Sequence, residues 1–205
     1  MRGNIYMRKL ISVFTILLAA LLLFSGCAAP AAPQRESDIV KVTFDFEKQQ
    51  GYASNQFAVW VEDMDGNLVK TLYATKFTAN GGYEKRADAI PVWVERAGLA
   101  QGADVDAVTG ATPKSGSVSF VWDLTDQSGA RVADGTYKFF VEGTLRWKNQ
   151  VLYSGEITLD GSAATASATA EYTYAASDDA AALTADSPEN AMISNVTAEF
   201  IPPQQ

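Results

Sequence analysis

The stretch DAVTGATPKSG, residues 106–116, holds the residues of this chain whose types and spacing could support chemistry. Thr109 and Thr112 carry hydroxyl groups, and Gly110 and Ala111 between them are small, so the chain here is narrow enough to enter the cleft of another protein. A hydroxyl group in such a segment can accept a covalently attached group. The alternative is a plain surface loop, because loops are built from the same small and polar residues.

The composition excludes most catalytic and redox machinery. The chain of 205 residues has no histidine and one cysteine, Cys27. Without histidine there is no Ser-His-Asp or Cys-His set and no histidine ligand for zinc or haem. A lone cysteine provides neither an internal disulfide nor an iron–sulfur site. We therefore expect no catalytic residue, no metal site and no self-contained enzyme, so that any redox chemistry must come from an added cofactor.

The acidic balance of the chain argues against a nucleic-acid partner. The formal net charge is −8, and residues 160–205 contain no lysine or arginine. Such a surface repels phosphate backbones and anionic lipid head groups. Attachment to a membrane would therefore have to come from a lipid.

The first residues have the three-part pattern of a secretory signal. Arg8 and Lys9 precede an apolar run over residues 10–24, and two small residues come just before Cys27. The alternative is an uncleaved membrane anchor, for which the run is short. The stretch LFSGC resembles the lipobox of bacterial lipoproteins, in which the cysteine takes a diacylglycerol and becomes the new N-terminus. That resemblance implies a signal peptide over 1–26, a lipidated Cys27, a flexible tether over 27–37 and an extracytoplasmic protein held on a bacterial membrane.

Alternating apolar and polar residues predict β-strands after the tether. Residues 40–46 show this alternation, and residues 57–62 and 68–77 flank an Asp-Gly turn and predict a hairpin. The insertion over residues 84–97 predicts one or two short helices, because Pro91 fits a first helical turn.

The stretch VWDLTDQSGARVADGTYKFFV, residues 121–141, resembles the Ig-like module of flagellar hook-capping proteins. Further strands are predicted in residues 151–161, 165–174 and 193–201, which gives about seven in all. The predicted fold class is all-β: one Ig-like antiparallel β-sandwich over residues 38–205 with a short helical insertion. Its last part, residues 161–205, is acidic and partly flexible, with a mobile loop predicted over 175–191.

Residues 106–112 resemble the flavinylation motif of secreted electron-transfer proteins, which reads Asp, two variable residues, Ser or Thr, Gly, Ala and Thr. In those proteins an ApbE-type flavin transferase uses FAD and magnesium to join FMN to the last threonine through a phosphoester. The resemblance implies that Thr112 accepts the FMN. It also implies that the transferase recognises four preceding residues, namely Asp106, Thr109, Gly110 and Ala111.

The order of these features over residues 38–160 also resembles an uncharacterised secreted bacterial family, domain-of-unknown-function family 2271. Its members are found with PepSY-type membrane proteins and ApbE-type transferases, which implies a flavin role with membrane redox proteins as partners. Tyr52, Trp60, Tyr83, Trp93 and Trp147 could stack on a flavin ring, but most aromatic residues of a small sandwich belong to the core or cover its surface. Tyr83 and Trp93 are the candidates for stacking, because their insertion adjoins the motif. Two hypotheses stay open: a lipid-anchored carrier of covalent FMN, and a non-catalytic Ig-like binding or structural module of the cell envelope.

Overall fold

Ten strands form two β-sheets within the residues that the computed structural model describes, which are 38–50, 55–101 and 109–203. One sheet has the order β5-β1-β10-β8 and the other the order β4-β3-β2-β6-β7-β9. All paired strands are antiparallel except β3 and β4, which are parallel. The strands are β1 (Ile39–Phe46), β2 (Gln56–Glu62), β3 (Leu68–Thr75), β4 (Thr109–Gly110), β5 (Gly116–Trp122), β6 (Gly135–Arg146), β7 (Asn149–Leu159), β8 (Ala164–Ser167), β9 (Thr169–Thr173) and β10 (Ile193–Ile201).

The main core lies between the two sheets and is built from alternating apolar positions. The inward-facing residues of β1, β2, β5, β6 and β10 are fully buried. They are Val40, Val42, Phe44, Phe46, Phe57, Val59, Val61, Trp122, Phe139, Val141, Val196, Ala198 and Phe200. Burying one large apolar side chain stabilises the fold by about 1.5–3 kcal/mol. The predicted class, an antiparallel β-sandwich with a short helical insertion, is confirmed. The likeness to Ig-like modules stays a resemblance.

Strand β2 is buried along its whole length, although the alternation predicted one exposed face. The insertion between β3 and β4 covers the outer face of the six-stranded sheet and forms a second apolar cluster there. Trp60 of β2 stacks on Phe140 of β6 with their ring centroids 5.0 Å apart, and Trp93 of the insertion packs in the same cluster. The sandwich therefore has a third layer over part of one sheet.

The insertion consists of short helical turns. They are a π-type turn (Thr78–Gly82), an α-helical turn (Tyr83–Lys85), an α-helix (Pro91–Arg96) and a 3₁₀ turn (Leu99–Gln101). Pro91 starts its helix, as predicted, because a first-turn residue has no intrahelical N–H bond to lose. Strand β3 ends at Thr75, two residues earlier than predicted, since Phe77 already has helical dihedral angles.

Two differences from the predicted strand count have a structural cause. The predicted strand over residues 165–174 is divided between the sheets, because β8 pairs with β10 and β9 pairs with β7. Strand β4 has only two residues and no alternation to reveal it. Its pairing with β3 is a tertiary contact that local pattern does not encode.

The segment over residues 175–191 is irregular, as the sequence indicates, and its mobility stays a prediction. The Asn149 side chain accepts hydrogen bonds from two backbone N–H groups of this segment and donates one to a backbone carbonyl. Leu183 and Met192 are buried in the main core, the latter at the end of a 3₁₀ turn (Pro188–Met192). These contacts fix the segment to the sandwich at several points.

Several predictions lie outside the described residues. The signal peptide, Cys27, the tether and Asp106 are among them. Over the three described ranges, no helix has the length and apolar character needed to cross a membrane.

Candidate functional site

The motif predicted from the sequence lies at one edge of the six-stranded sheet. Thr109 and Gly110 form β4 and pair in parallel with Ala74 and Thr75 at the end of β3. Because β4 is the outermost strand, the residues that follow it leave the sheet at its border. They lead to β5, which belongs to the opposite sheet.

Tyr73 anchors this part of the motif to the core. Its hydroxyl donates a 2.9 Å hydrogen bond to the carbonyl of Ala111. Its ring packs between Phe57 and Phe120, with centroids 4.9 Å and 4.7 Å away. Burial raises the pKa of the Tyr73 hydroxyl above its ordinary value, so the group stays protonated and keeps donating.

Packing explains why glycine occupies position 110. A Cβ atom added to Gly110 would lie 2.6 Å from Cε2 of Tyr73. Non-bonded carbon atoms do not approach each other that closely, so any side chain at position 110 would displace the Tyr73 ring or the strand. The glycine of the motif therefore has a structural role here, besides any role in recognition by another protein.

Thr112 lies between two fixed points of the loop. The carbonyl of Ala111 is held by Tyr73, and the Ser115 hydroxyl accepts a 2.9 Å hydrogen bond from the backbone N–H of Lys48. Thr112 itself is half-buried, and its hydroxyl forms no hydrogen bond with another described residue. The position thus combines a restrained backbone with a side-chain oxygen whose bonding capacity the fold does not use.

The structure removes Trp93 from the residues that could stack on a flavin. Its side chain is fully buried, and its indole N–H donates a 3.1 Å hydrogen bond to the Thr71 hydroxyl. Both faces of the ring therefore pack on protein, and the expectation for Trp93 is wrong because the insertion folds inward onto the sheet. Tyr83 is half-buried, and its hydroxyl donates to the carbonyl of Leu99 at 3.2 Å, so part of its surface stays exposed.

Glu142, which no sequence motif marks, holds the insertion in place. This fully buried carboxyl group on β6 accepts hydrogen bonds from the backbone N–H groups of Val92 (3.1 Å) and Trp93 (2.7 Å). Burial raises its pKa from 4.5 to about 7, although the two hydrogen bonds act in the opposite direction. Strand alternation gave no sign of this role, since Glu142 lies on the outer face that only the insertion covers.

Further polar contacts reinforce the attachment of the insertion to the sheet. The Thr144 hydroxyl accepts a 2.8 Å hydrogen bond from the backbone N–H of Ile90, a buried residue in the left-handed region at φ +46°. That conformation costs an isoleucine roughly 1–2 kcal/mol. The nearly buried Glu62 accepts from the indole of Trp60 at 2.8 Å and pairs with Arg96 at 3.2 Å. The chain leaves this fixed insertion only a few residues before the motif.

The fold and the site define a β-sandwich protein with a hydroxyl-bearing loop fixed at one sheet edge. The chain belongs to the DUF2271 family, described as "Predicted periplasmic protein", whose model matches residues 38–175. The resemblance to this family is thereby confirmed, and the description supports an extracytoplasmic location. No curated protein and no solved structure matches the chain significantly.

Proposed function

We propose that this protein carries FMN covalently on Thr112 and transfers electrons outside the cytoplasm. The observation that carries the proposal is the state of Thr112, whose hydroxyl makes no hydrogen bond within the described residues while the loop is fixed on both sides of it. The sequence around it, from Asp106 to Thr112, has the order of a flavinylation motif. Covalent FMN would supply two-electron redox chemistry, which no side chain of this chain offers.

The attachment reaction requires only one group from this chain. The Thr112 oxygen attacks the FMN-side phosphorus of FAD in the cleft of an ApbE-type transferase. A phosphoester bond forms, the pyrophosphate bond to AMP breaks, and the hydroxyl proton passes to a base of the transferase. Magnesium and that base belong to the transferase. The missing histidine is therefore no obstacle, since Thr112 acts as an acceptor and not as an activated nucleophile of a catalytic set.

In this proposal the residues before Thr112 shape and hold the segment that the transferase binds. Gly110 and Ala111 keep the segment narrow, and Ala111 is exposed while its carbonyl is held by Tyr73. Holding the backbone in advance lowers the entropy that binding to the transferase must overcome. Thr109 and Asp106 would be contacted by the transferase before the acceptor reaches the pyrophosphate.

A lipid on Cys27 would place this carrier on a membrane surface. The segment over residues 27–37 is rich in alanine and proline and links that lipid to the first strand. A carrier on such a tether meets membrane redox proteins at a high local concentration. We propose such proteins as electron donor and acceptor.

Mass spectrometry of the intact protein tests the attachment directly. The chain is produced with and without the ApbE-type transferase of the same organism, in the presence of FAD and magnesium. We expect a mass gain of one FMN less one water, with in-gel flavin fluorescence. Thr112→Ala should abolish both signals, whereas Thr112→Ser should retain them because the hydroxyl remains. Thr109→Ala and Asp106→Ala should slow the reaction without removing the acceptor.

Two results would contradict the proposal. One is an unchanged mass after incubation with the cognate transferase. The other is a flavin that peptide mapping assigns to a residue outside 106–115. The non-catalytic binding or structural module would then be the remaining hypothesis.

A further inference from the structure

Two exposed aromatic side chains meet at one arginine. Phe77 is 42% exposed and Trp147 is 44% exposed, whereas the other three tryptophans of the chain are fully buried. The guanidinium carbon of Arg86 lies 6.0 Å from the ring centroid of Phe77 and 5.3 Å from that of Trp147. Phe77, Arg86 and Trp147 form a continuous surface, which we call the aromatic ridge.

The two-residue loop between β6 and β7 holds Trp147 in a backbone conformation that side chains of this size rarely adopt. Trp147 has a φ of +49° and lies in the two-residue loop between the paired residues Arg146 and Asn149. A positive φ at the first position of a two-residue hairpin loop favours glycine, asparagine or aspartate there. A large exposed ring at this position gains little burial in return. Strain of this kind concentrates at binding sites, where the presentation of a side chain is selected.

A cavity of about 370 Å³ opens beside Trp147. Its wall includes two carboxylates and two cationic groups, from Asp88, Asp179, Arg146 and Lys148. The cavity is open to solvent, and two of its charged groups, those of Lys148 and Asp179, pair with each other at 3.3 Å. The Trp147 ring offers a stacking face for the flat isoalloxazine ring, whose edge of carbonyl and N–H groups can bond with the charged groups of the cavity.

The topology places the ridge and Thr112 at the same end of the sandwich. Strand β3 leads into Phe77 and β4 leads into Thr112, and these two strands are parallel. Strand β2 is antiparallel to both β3 and β6, so the β6–β7 hairpin with Trp147 lies at this end too. Strand β6 is three strands away from β4, which is about 14 Å.

The length of an attached flavin suits this separation. From a threonine oxygen, an extended phosphate and ribityl chain spans about 10 Å before the ring system begins. The ring itself then continues across the intervening strands. A ring carried by Thr112 can therefore cover Arg86 and reach Trp147.

We propose that the aromatic ridge is the docking surface for the flavin ring carried by Thr112. This inference rests on the proposed attachment at Thr112. The ring stacks on Trp147 and Phe77, and its polar edge faces the charged groups of the cavity. Arg86 lies beside the ring and favours its reduced form, which carries more negative charge than the oxidised form. Trp93, the stacking residue expected from the sequence, is thereby replaced by Trp147.

Flavin fluorescence of the loaded full-length protein tests the docking. An indole stacked on the ring quenches its emission, so the loaded wild type should be much dimmer than free FMN and poorly accessible to iodide. Trp147→Ala should show the same mass gain with a several-fold rise in emission. Met64→Ala is the matched control, because Met64 is 47% exposed and lies in the hairpin between β2 and β3 at the opposite end of the sandwich. It should leave emission unchanged.

A redox titration provides a second measurement that does not depend on quenching. Arg86→Gln removes the charge beside the ring and should lower the midpoint potential of the bound flavin, whereas Lys138→Gln, at a distance from the ridge, should not change it. A loaded wild type as bright as free FMN, or an unaltered emission in Trp147→Ala, would overturn the docking while the mass gain still supports attachment. An unchanged mass would overturn both.

Discussion

The hydroxyl of Tyr73 donates to the carbonyl of Ala111, and the ring of Tyr73 is packed in the main core, so one side chain joins the motif to the interior of the sandwich. The residue before the proposed acceptor is thus fixed by a hydrogen bond from a side chain whose ring packs against the core. The restraint at Ala111 and the unbonded hydroxyl of Thr112 are separate properties, and variants can separate them.

Tyr73→Phe should loosen the motif without disrupting the core. The variant keeps the ring but loses the hydrogen bond to Ala111, which should lower the free energy of unfolding by about 1 kcal/mol. Backbone amides of residues 109–115 should exchange faster in hydrogen exchange followed by mass spectrometry. Tyr137→Phe is the matched control, since the Tyr137 hydroxyl donates to the Ala133 carbonyl at 2.8 Å. Equal exchange of the motif in both variants would contradict the anchoring role.

Gly110→Ala should destabilise the fold through the Tyr73 ring. Overpacking of this kind costs about 1–3 kcal/mol. In a Tyr73→Leu background the same substitution should cost clearly less, because the planar ring that the new Cβ meets is gone. Denaturant unfolding of the four proteins in this cycle measures the coupling. A penalty that is identical in both backgrounds would show that Gly110 is constrained by something else.

Glu142 should make the stability depend on pH. Its pKa is raised from 4.5 to about 7, so between these values the folded state holds a proton that the unfolded state releases. The free energy of unfolding should therefore fall as the pH rises from 4.5 to 7, by about 3 kcal/mol from this group, and level off above. Glu142→Gln does not titrate and should remove that slope in denaturant unfolding. Glu171→Gln, an exposed neighbour on β9, should keep it, and a slope retained in Glu142→Gln would exclude Glu142 as its source.

Trp93→Ala and Trp147→Ala should differ sharply in stability. Trp93 is fully buried, and its truncation should cost about 3–5 kcal/mol. Trp147 is exposed, so its truncation should change stability by less than about 0.5 kcal/mol. Thermal unfolding of both variants measures the contrast. Similar values would mean that one of the two rings has a different environment in solution.

Cys27→Ser should release the protein from the membrane fraction. If the cysteine takes a diacylglycerol, the variant should stop incorporating labelled fatty acid and should be found as unprocessed or soluble protein. Ser25→Ala is a suitable control, because a small residue at that position preserves the signal pattern. Unaltered labelling and fractionation of Cys27→Ser would disprove the lipid anchor.

The strands of the main core could be predicted because their pattern is local. Alternation in residues 40–46 gave β1 with every inward residue correct, and Pro91 marked the start of its helix. In these segments, whether a side chain is buried is decided by the face of its own strand on which it lies. The sequence therefore contains the whole signal within a few residues.

The third layer could not be predicted, because it depends on contacts between distant segments. Trp60, Trp93 and Glu142 become buried only when the insertion folds over the outer face of the sheet. Each looks like a surface or binding residue when its own strand or helix is considered alone. The pairing of Tyr73 with the motif is of the same kind, since it follows from the docking of β4 on β3.

Strand β1 runs from one end of the sandwich to the other. The chain enters at Asp38, and the eight residues of β1 carry it about 27 Å to Phe46, which pairs with Gly116 beside the motif. Thr112 is therefore at the end opposite the point where the tether joins. A protein that binds the loop around Thr112 can therefore approach it from the end of the sandwich that is remote from Asp38.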